Sequence, residues 1–426
     1  MNLIVSSRDF HGEIDAISSK SQAHRALICA ALSSGKSRIK CNTTSKDIMA
    51  TVDCLNCLGA NITYSNGVFI VESIDLTKTK REINCGESGS TLRFLLPIIA
   101  SLGIEMKIEM QGRLSERPLF PLDRELIKNG CKIEKQGNYL LIKGKLRPNE
   151  YVVEGNVSSQ FISGLLFSLP LIEGETSITV KGDLESYSYI QMTLKELSKF
   201  GINYRCENNT FKLISNKYTT CDTAIEGDWS NSAIWLCAGA LTEKGISVKG
   251  LNIESNQGDS EIIEILRQFG AFVKCNKEDV FVKKNSLRGI SVDARNIPDL
   301  IPAICLVGSV ANGKTIIKNA NRLRIKESDR IKSVVDMINS LGGKAIETED
   351  GIEVIGSELI GGTVNSYNDH RIAMTSAISS IVCKQPIKIT NAESVEKSYP
   401  NFFKDFVKLG GIYTEEKIWV VLLVKI

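Results

Sequence analysis

Hydrophobic and polar positions repeat along this chain with a period of about 70 residues. Six times, a helical pattern ends at a glycine that leads directly into a short strand pattern. These glycines are Gly59, Gly130, Gly201, Gly270, Gly342 and Gly410. Glycine is favoured at the end of a helix because the left-handed conformation adopted there penalises a side chain. The period predicts six copies of one structural unit, which bury their apolar faces against each other.

A second series of apolar helical runs follows the same period, and small or polar residues precede each run. The six segments are SSKSQAHRALICAAL, GESGSTLRFLL, VSSQFISGLLF, GDWSNSAIWL, IPDLIPAICLV and NDHRIAMTSAI. Their predicted helix starts lie near Ser21, Gly89, Ser159, Ser230, Asp299 and His370. Each unit is therefore predicted to contain two helices and several strands, in the order helix, strand pair, helix, strand.

The starts of the second helix series are candidate anion sites. A helix N-terminus carries unpaired N–H groups and a partial positive charge. Cationic side chains stand at or near three of these starts, namely Lys20, Arg25, Arg93 and Arg371. Taken singly, each Ser, Gly or Asp at a start is equally compatible with an ordinary N-cap. The accompanying cations favour a binding role for the set.

Length and charge limit the classes of function. A chain of 426 residues exceeds one typical hydrophobic core, which predicts two domains of three units each. The chain has 52 basic and 49 acidic residues, a net charge of +3, and this balance argues against a broad surface for nucleic acid. An anion site in this protein is therefore expected to be local.

Cysteine and histidine usage argues against a metal centre. The 12 cysteines are scattered singly except for Cys54 and Cys57, and no second pair or neighbouring histidine completes a zinc set. Thiols in this pattern are typical of core positions in a reducing, cytoplasmic setting. The three histidines are His11, His24 and His370, too few for a multi-histidine site.

The chain carries no recognisable secretory or membrane-spanning signal. Its start lacks a basic region followed by a long apolar core. The apolar run 418–424 is far shorter than the roughly 20 residues that span a bilayer. We expect this run to form a buried or edge strand.

Candidate oxyanion ligands in the first half occur in two basic motifs. In SKSQAHR, Ser21 and Arg25 share one helix face, so a hydroxyl and a guanidinium can contact the same oxyanion beside Lys20. In GRLSERP, Arg113 and Arg117 stand in a polar stretch that is predicted to be a loop. Arginine there suits bidentate binding of phosphate or carboxylate, although a solvated helix face and an ordinary loop remain alternatives.

Two further motifs extend this set. VSSQF places two hydroxyls and the amide of Gln160 at a helix start, and these uncharged donors suit a phosphate or a polyol. In NRLRIKESDRI a helix would bring Lys326 and Arg330 to one face, with Glu327 beside them as a possible proton carrier. By itself such a charge run is more typical of a solvated face.

Taken together, the motifs contain more cations than acids. The candidate cations are Lys20, Arg25, Arg117, Lys326, Arg330, Arg371 and Lys397. The two candidate acids are Asp299 and Glu327, and carboxylates among cations suit proton transfer on a substrate that carries several negative charges. Because the cations come from both halves of the chain, we expect a cleft between two domains that closes on its ligand.

These motifs together resemble the 5-enolpyruvylshikimate-3-phosphate synthase family over essentially the whole chain. The segments that carry the resemblance, in order, are SKSQAHRAL, GESGSTLR, RLSERP, VSSQF, GDLESYSYI, EGDWSNSA, IPDL, RIKESDR, YNDHR and VEKSYP. The resemblance implies an α/β (α+β) fold of two domains, each made of three βαβαββ repeats in an inside-out α/β barrel. It also implies that 1–18 and 226–426 form one discontinuous domain with the catalytic acid and base. The other domain, 19–225, would carry much of the shikimate 3-phosphate site.

The resemblance further implies a transferase activity. Members move the enolpyruvyl group of phosphoenolpyruvate to the 5-hydroxyl of shikimate 3-phosphate and release phosphate, in chorismate and aromatic amino acid biosynthesis. The implied enzyme needs no metal or organic cofactor. It acts as a cytoplasmic monomer on small molecules, with neither nucleic acid nor membrane as a partner.

Site residues follow from the resemblance motif by motif. The implied shikimate 3-phosphate ligands are Lys20, Ser21, Arg25, Ser158, Ser159, Ser186, Tyr189, Asp299 and Lys326. The implied phosphoenolpyruvate ligands are Lys20, Gly89, Arg117, Gln160, Arg330, Arg371 and Lys397. Asp299 would accept the proton of the attacking hydroxyl, and Glu327 with Lys20 would protonate the methylene carbon. A carboxylic donor at neutral pH needs a raised pKa, which the neighbouring cations oppose.

Two positions depart from the family pattern. Many members have asparagine where this chain has Glu87, so a negative charge stands beside a predicted anion site. Arg322 replaces an asparagine that contacts the shikimate phosphate in some members. Gly89 occupies the glycine position linked to glyphosate sensitivity. The sequence does not predict whether this protein is sensitive to the herbicide.

Two other functions compete with this interpretation. The UDP-N-acetylglucosamine enolpyruvyl transferase shares the fold and the donor, but it has a reactive cysteine in the loop where this chain has Ser115. A non-catalytic six-repeat clamp around DNA would need basic residues spread evenly over its inner helices. Here the basic residues are concentrated in unlike motifs.

Overall fold

The structure is a computed structural model that describes residues 1–416, so the strand predicted at 418–424 lies outside the described residues. Within that range the chain forms 24 strands and 12 α-helices. The strands are β1 (Leu3–Ser7), β2 (Gly12–Asp15), β3 (Lys36–Lys40), β4 (Asn61–Ser65), β5 (Val68–Glu72), β6 (Glu82–Asn84), β7 (Met106–Glu109), β8 (Cys131–Gln136), β9 (Tyr139–Gly144), β10 (Glu150–Glu154), β11 (Ser177–Lys181), β12 (Asn203–Glu207), β13 (Thr210–Ser215), β14 (Thr223–Ala224), β15 (Ile246–Lys249), β16 (Phe272–Cys275), β17 (Asp279–Lys283), β18 (Ser291–Asp293), β19 (Lys314–Lys318), β20 (Lys344–Glu347), β21 (Ile352–Ile355), β22 (Thr363–Asn365), β23 (Ile387–Thr390) and β24 (Gly411–Glu415). The helices are α1 (Lys20–Leu32), α2 (Lys46–Cys57), α3 (Gly89–Leu102), α4 (Leu122–Lys128), α5 (Ser159–Ser168), α6 (Tyr187–Lys199), α7 (Trp229–Ala240), α8 (Ile262–Phe269), α9 (Ile301–Val310), α10 (Arg330–Ser340), α11 (His370–Ser379) and α12 (Phe402–Lys408).

The strands of residues 1–416 pair into six sheets of four. Their orders are β14-β3-β5-β4, β6-β7-β9-β8, β10-β11-β13-β12, β2-β15-β17-β16, β18-β19-β21-β20 and β22-β23-β1-β24. In the second sheet β6 runs parallel to β7, β9 lies antiparallel to β7, and β8 closes the sheet as a hairpin partner. The βαβαββ unit predicted by resemblance is confirmed. The order predicted from the pattern alone was wrong by one strand, because strands of two or three residues such as β6 are too short to show a period of two.

Three of the six sheets include a strand from a distant part of the chain. β14 pairs with β3, whereas β2 pairs with β15 and β1 pairs with β23 and β24. The sheets that contain β3, β7 and β11 form one group, and the sheets that contain β2, β19 and β1 form the other. The chain therefore passes twice between these two groups. The two passages lie side by side, and the amide of Ser19 donates to the carbonyl of Glu226 at 2.8 Å.

The described residues form two separate hydrophobic cores. One core takes its side chains from 3–17 and 229–409, and the other takes them from 23–218. We name the corresponding parts the terminal domain and the middle domain. The domain boundaries inferred from the family, 1–18 with 226–426 and 19–225, stay a prediction. Helices such as α3 are buried at nearly every position, whereas the sheets expose one face, as an inside-out arrangement requires.

All six periodic glycines lie directly at or after a helix end in the left-handed region. Their φ angles range from 84° at Gly342 to 115° at Gly130. The predicted role of these glycines as helix terminators is therefore confirmed. Gly59 shows the reason most clearly, because a Cβ there would overlap the backbone oxygen of Asp75.

The helices of the described residues show no membrane span, and the cysteines form no disulfide bond. No helix within 1–416 is long and apolar enough to cross a bilayer. All 12 cysteines are free, seven of them are buried, and only Cys206 is exposed. This distribution agrees with the interpretation of the cysteines as mainly core thiols.

Candidate active site

Helix starts from both domains converge on one cleft. Lys20, Gly89 and Ser159 are the first residues of α1, α3 and α5 in the middle domain. Arg330 and His370 begin α10 and α11 in the terminal domain. Side chains cap these helices in the ordinary way, so the N-cap interpretation is confirmed, whereas the binding role stays a prediction. The six helix starts lie within two residues of their predicted positions.

Most of the residues assigned by resemblance line this cleft. They are Lys20, Ser21, Arg25, Gly89, Arg117, Ser158, Ser159, Gln160, Ser186, Tyr189, Asp299, Lys326, Glu327 and Arg330. Arg371 and Lys397 do not line it. Arg371 lies behind Asp299, and Lys397 lines an adjoining cleft that also contains Glu87.

Arg330 connects the two candidate acids. Its Nη1 lies 2.6 Å from Oδ1 of Asp299 and its Nη2 lies 2.7 Å from Oε2 of Glu327. Its Nε donates to Asp369 at 2.8 Å, and the side chain is 1% exposed. A planar guanidinium with five donors can hold three carboxylates in one fixed arrangement. Asp299 and Glu327 are therefore set at defined positions on the cleft wall.

Cations control the ionisation of both acids. Burial would raise the pKa of Asp299, but Lys326, Arg330 and Arg371 outweigh burial and hold its pKa below the ordinary value. Burial would likewise raise the pKa of Glu327, but Arg330 and Arg117 hold this pKa well below the ordinary value. Both carboxyls are therefore ionised at neutral pH in this structure.

Lys326 faces Asp299 from outside any α-helix. The helix expected over this charge run is interrupted: a 3-10 helix spans Asn321–Ile325, and α10 begins only at Arg330 because Asp329 caps it. The Lys326 ammonium still lies 3.9 Å from Oδ1 of Asp299. Burial lowers the pKa of Lys326 to about 8, although Asp299 opposes the shift.

The middle-domain wall carries a second group of cations. Nη1 of Arg93 donates to Oε1 of Gln160 at 2.7 Å, and Nε2 of Gln160 donates to Ser90 at 2.9 Å. Arg117, which follows a 3-10 helix at Gly112–Glu116, extends Nη1 to within 3.4 Å of Oε1 of Glu327. The predicted loop is thus helical in part. A cation of one domain reaches an acid of the other.

Another part of the cleft, around Arg25, is rich in hydroxyls and aromatic rings. Arg25 is buried between Phe94 and Tyr189, with its guanidinium carbon 5.0 Å and 6.0 Å from their ring centres. Burial lowers the pKa of Arg25 to about 10. Its Nη1 donates to the carbonyl of Ser21 at 2.6 Å, not to the Ser21 hydroxyl. The sequence predicted that Ser21 and Arg25 share a helix face, and the contact between them is made by the Ser21 backbone.

Lys20 has an acidic partner that sequence reasoning missed. Its ammonium lies 2.8 Å from Oδ2 of Asp47, which also lines the cleft. Burial and the charge of Lys20 hold the pKa of His370 well below its ordinary value, so the nearby imidazole is neutral. Asp47 gave no signal in the sequence, since an acidic residue in the first turn of a helix such as α2 is commonplace.

Arg322, one of the two departures from the family pattern, lines the cleft. Its Nη1 lies 3.0 Å from the Ser186 hydroxyl and 3.2 Å from Oε2 of Glu185. Ser186 adopts a positive φ of 54° as the N-cap of α6. The arginine of the terminal domain is therefore directed at the hydroxyl-lined wall of the middle domain.

Behind Asp299 lies a buried acid that the sequence did not single out. Asp259 accepts a hydrogen bond from the Ser230 hydroxyl, and the Tyr189 hydroxyl lies 3.4 Å from its Oδ2. Burial and the charge of Asp299 raise the pKa of Asp259 to about 7. Arg371 donates to the carbonyl of Ser230 at 2.6 Å and lies 3.8 Å from Oδ2 of Asp299. Arg371 thus supports the wall that carries Asp299.

Metal ligation is not suggested by the described residues. Within 1–416 no three or more His, Cys, Asp or Glu side chains are grouped so that they could hold a metal ion. The acids in the cleft are instead paired with arginine and lysine. The arrangement suits a polyanionic ligand that would replace these acids as partner of the cations.

Comparison with known proteins gives the family. A family model described as EPSP synthase (3-phosphoshikimate 1-carboxyvinyltransferase) matches residues 5–406. The chain belongs to the EPSP synthase family. A 3-phosphoshikimate 1-carboxyvinyltransferase of Clostridium novyi (strain NT) is 41% identical, over 97% of this chain and 98% of that protein. One of the same name from Clostridium kluyveri is 43% identical, over 94% and 95% of the two chains.

Solved structures share the fold of this member of the EPSP synthase family. An EPSP synthase from Acinetobacter baumannii superposes with a TM-score of 0.80 at 24% identity, covering 97% of this chain and 100% of that one. The enolpyruvyl transferase NikO from Streptomyces tendae gives a TM-score of 0.76 at 16% identity and covers 98% and 99%. The two-domain inside-out α/β fold expected from the sequence is thereby confirmed.

Proposed function

We propose that this protein uses the cleft to transfer the enolpyruvyl group of phosphoenolpyruvate to the 5-hydroxyl of shikimate 3-phosphate, releasing phosphate. This is the reaction named by its family. One observation carries the assignment to this cleft. Arg330 joins Asp299 and Glu327 at 2.6 Å and 2.7 Å, so the proposed base and acid share one wall with a cation between them.

The donor is proposed to bind between the two groups of cations. Phosphoenolpyruvate carries a phosphate and a carboxylate, which need several charged donors. Arg117 and Arg330 both contact Glu327, and on the middle-domain wall Arg93 fixes Gln160 by a hydrogen bond of 2.7 Å. The first N–H groups of α3, which begins at Gly89, add donors that need no side chain.

The acceptor is proposed to bind on the hydroxyl-rich side of the cleft. Ser158, Ser159 and Ser186 line that side and suit its phosphate, and Arg322 adds a positive charge next to Ser186. Lys326 and Asp299 face each other at 3.9 Å, which suits recognition of ring hydroxyls. The 5-hydroxyl would then lie against Asp299.

The two proton transfers have different requirements. Asp299 is ionised, as a general base must be before it accepts the proton of the attacking hydroxyl. Glu327 must first gain a proton, and Arg117 and Arg330 oppose this in the free protein. Binding of the anionic donor would neutralise these arginines, so that burial, which raises the pKa, becomes dominant. Lys20, beside Asp47, would assist the transfer to the methylene carbon.

We further propose that the protein acts as a cytoplasmic monomer without a cofactor. Every proposed ligand comes from the one chain, and the cleft is assembled from its own two domains. Nucleic acid and membrane are not expected partners, since the net charge is only +3. Light scattering at micromolar concentration would detect a dimer and so contradict the monomer.

The deciding experiment follows phosphate release from phosphoenolpyruvate with two alternative acceptors. Release with shikimate 3-phosphate alone is the expected result. Release with UDP-N-acetylglucosamine alone would assign the protein to the sibling transferase instead. The sibling is disfavoured because Ser115, with no cysteine nearby, occupies the segment before Arg117.

A variant pair tests the role of Asp299 at this site. Asp299→Asn retains the shape but removes the base, so kcat should fall by at least about a hundredfold. Asp293→Asn is the matched control, because Asp293 also pairs with an arginine, at 2.6 Å from Arg295, but is exposed. Circular dichroism should be unchanged in both. A kcat within threefold of the parent in Asp299→Asn would contradict the assignment.

A further inference from the structure

Glu87, the other departure from the family pattern, lies at the contact between the two domains. It stands in the turn between β6 and α3, two residues before the helix start at Gly89. It lines the cleft that adjoins the main one.

The carboxylate contacts a cation of the other domain. Oε2 of Glu87 lies 2.7 Å from Nζ of Lys397, which is only 8% exposed, whereas Glu87 itself is 30% exposed. The side-chain amide of Asn368 donates to both carboxylate oxygens, at 3.2 Å and 3.0 Å. The Lys397 ammonium also donates to the carbonyl of Asn368 at 2.6 Å. Both partners of Glu87 thus belong to the terminal domain. Lys397, which the resemblance assigns to donor binding, lines a cleft that shares Asp47 with the main one, so we place it at the edge of the donor site.

Glu87 also lies against the segment that leads to Arg117. A Cβ on Gly112 would overlap the carboxyl group of Glu87, so this carboxyl rests directly on the glycine backbone. Gly112 has a φ of 53° and begins the 3-10 helix that ends before Arg117. The carboxylate is therefore held in place from both domains, beside two residues proposed to bind phosphoenolpyruvate.

We infer that Glu87 is an internal competitor of the anionic donor for Lys397, and so sets the affinity for phosphoenolpyruvate. The inference rests on the proposed function of the main cleft. Without ligand, Glu87 neutralises Lys397; when the donor binds, its negative groups take over the ammonium. Glu87 is a positioning residue, since it acts through Lys397 and not on the reacting atoms.

The sign of the effect follows from the charges. A buried ammonium needs an anionic partner, and it can give its strongest contact to only one. While Glu87 holds Lys397, the donor must displace a carboxylate and accept its repulsion at short range. Removing the negative charge at position 87 therefore strengthens donor binding and leaves acceptor binding unchanged.

The test compares the parent with Glu87→Gln, which keeps the shape and can still contact Asn368. We expect the KM for phosphoenolpyruvate to fall about three- to tenfold, while the KM for shikimate 3-phosphate and kcat change less than twofold. An unchanged or increased KM for phosphoenolpyruvate would overturn the inference. The effect should also shrink as ionic strength rises, because charges near the surface are screened.

Two further variants separate this role from general effects. Glu396→Gln removes another carboxylate that spans the domains, 2.7 Å from Lys46 but well exposed, and should leave both KM values unchanged. In a Lys397→Ala background, Glu87→Gln should no longer lower the KM for phosphoenolpyruvate; a persistent decrease would overturn the action through Lys397. Failure of the proposed function gives a distinct result, since the parent itself would then release no phosphate.

Discussion

Within residues 1–416, most of the cations that we assign to substrate binding are already in contact with acids of the protein, whereas Arg25 donates to Thr193 and to backbone carbonyls. Arg330 contacts Asp299 and Glu327, and Lys20 contacts Asp47. Such pairing allows charges to remain buried in the absence of substrate, because an unpaired buried charge is strongly unfavourable. The same pairing means that an anionic substrate exchanges partners with the protein instead of filling empty positions.

Lys326 provides a prediction at the residue scale. Burial lowers its pKa to about 8, so the free protein loses this ammonium as pH rises through that value. The ratio kcat/KM for shikimate 3-phosphate should then fall about tenfold between pH 7 and pH 9.5, because it reports the ionisation of the free enzyme. Steady-state kinetics over this pH range would measure the decrease.

Arginine at the same position is the informative comparison. Lys326→Arg keeps its charge at every pH in the range, so its profile should not show the decrease near pH 8. Lys332→Arg, at an exposed position of α10, should retain the profile of the parent. A decrease of equal size in Lys326→Arg would assign the titration to another group.

At the scale of the elements, the recurring device is a helix that stops at a glycine and turns into a hairpin. The turn is tight enough that Gly59, with a φ of 107°, lies against the backbone of Asp75 after the strand pair of its unit. A side chain would meet two penalties there, one from the backbone conformation and one from the overlap. The period in the sequence therefore has a steric cause.

A comparison of Gly59→Ala with Gly137→Ala should separate the cost of the steric overlap from the cost of the backbone conformation. Gly137 also has a positive φ, 57°, but no atom lies within 4 Å of the position of a Cβ there. Gly137→Ala should lower the free energy of unfolding by about 1 kcal/mol and Gly59→Ala by more than about 2 kcal/mol. Urea unfolding followed by circular dichroism would compare the midpoints, and equal midpoints would contradict the steric explanation.

For the whole molecule, ion pairs join the two domains across the clefts of this structure. Among the described residues, five pairs join the domains: Arg117 with Glu327 at 3.4 Å, Arg322 with Glu185 at 3.2 Å, Lys397 with Glu87 at 2.7 Å, Lys46 with Glu396 at 2.7 Å, and Lys195 with Glu226 at 3.3 Å. Two passages of the chain also connect the domains, together with hydrogen bonds such as that from the amide of Ser186 to Oδ1 of Asn296 at 2.9 Å. The ion pairs therefore contribute to the relative position of the domains.

Salt should therefore open the molecule. Screening at about 0.5 M salt shortens the Debye length to a few ångströms and weakens these pairs. Small-angle X-ray scattering should show a larger radius of gyration at high salt than at low salt, and a return to the smaller value when both substrates are added. A radius independent of salt would mean that apolar contacts, and not these pairs, hold the domains together.

The sequence alone determined the repeated elements and most of the residues in the cleft. The period, the six glycine terminators and the six helix starts depend on interactions within a few residues, which the local pattern records. The motifs also identified Asp299, Glu327 and Arg330 as candidates, and the resemblance to one family implied a role for each of them. The two-residue strand β14, by contrast, left no detectable pattern.

Only the tertiary structure decided which charges meet. Arg330 contacts acids at positions 299, 327 and 369, and Glu87 contacts Lys397, 310 residues further along the chain. Such contacts depend on how six similar units are arranged around two cores, and no local pattern records that arrangement. The same physical reason explains why Asp47, Asp259 and the direction of Glu87 emerged only from the folded protein.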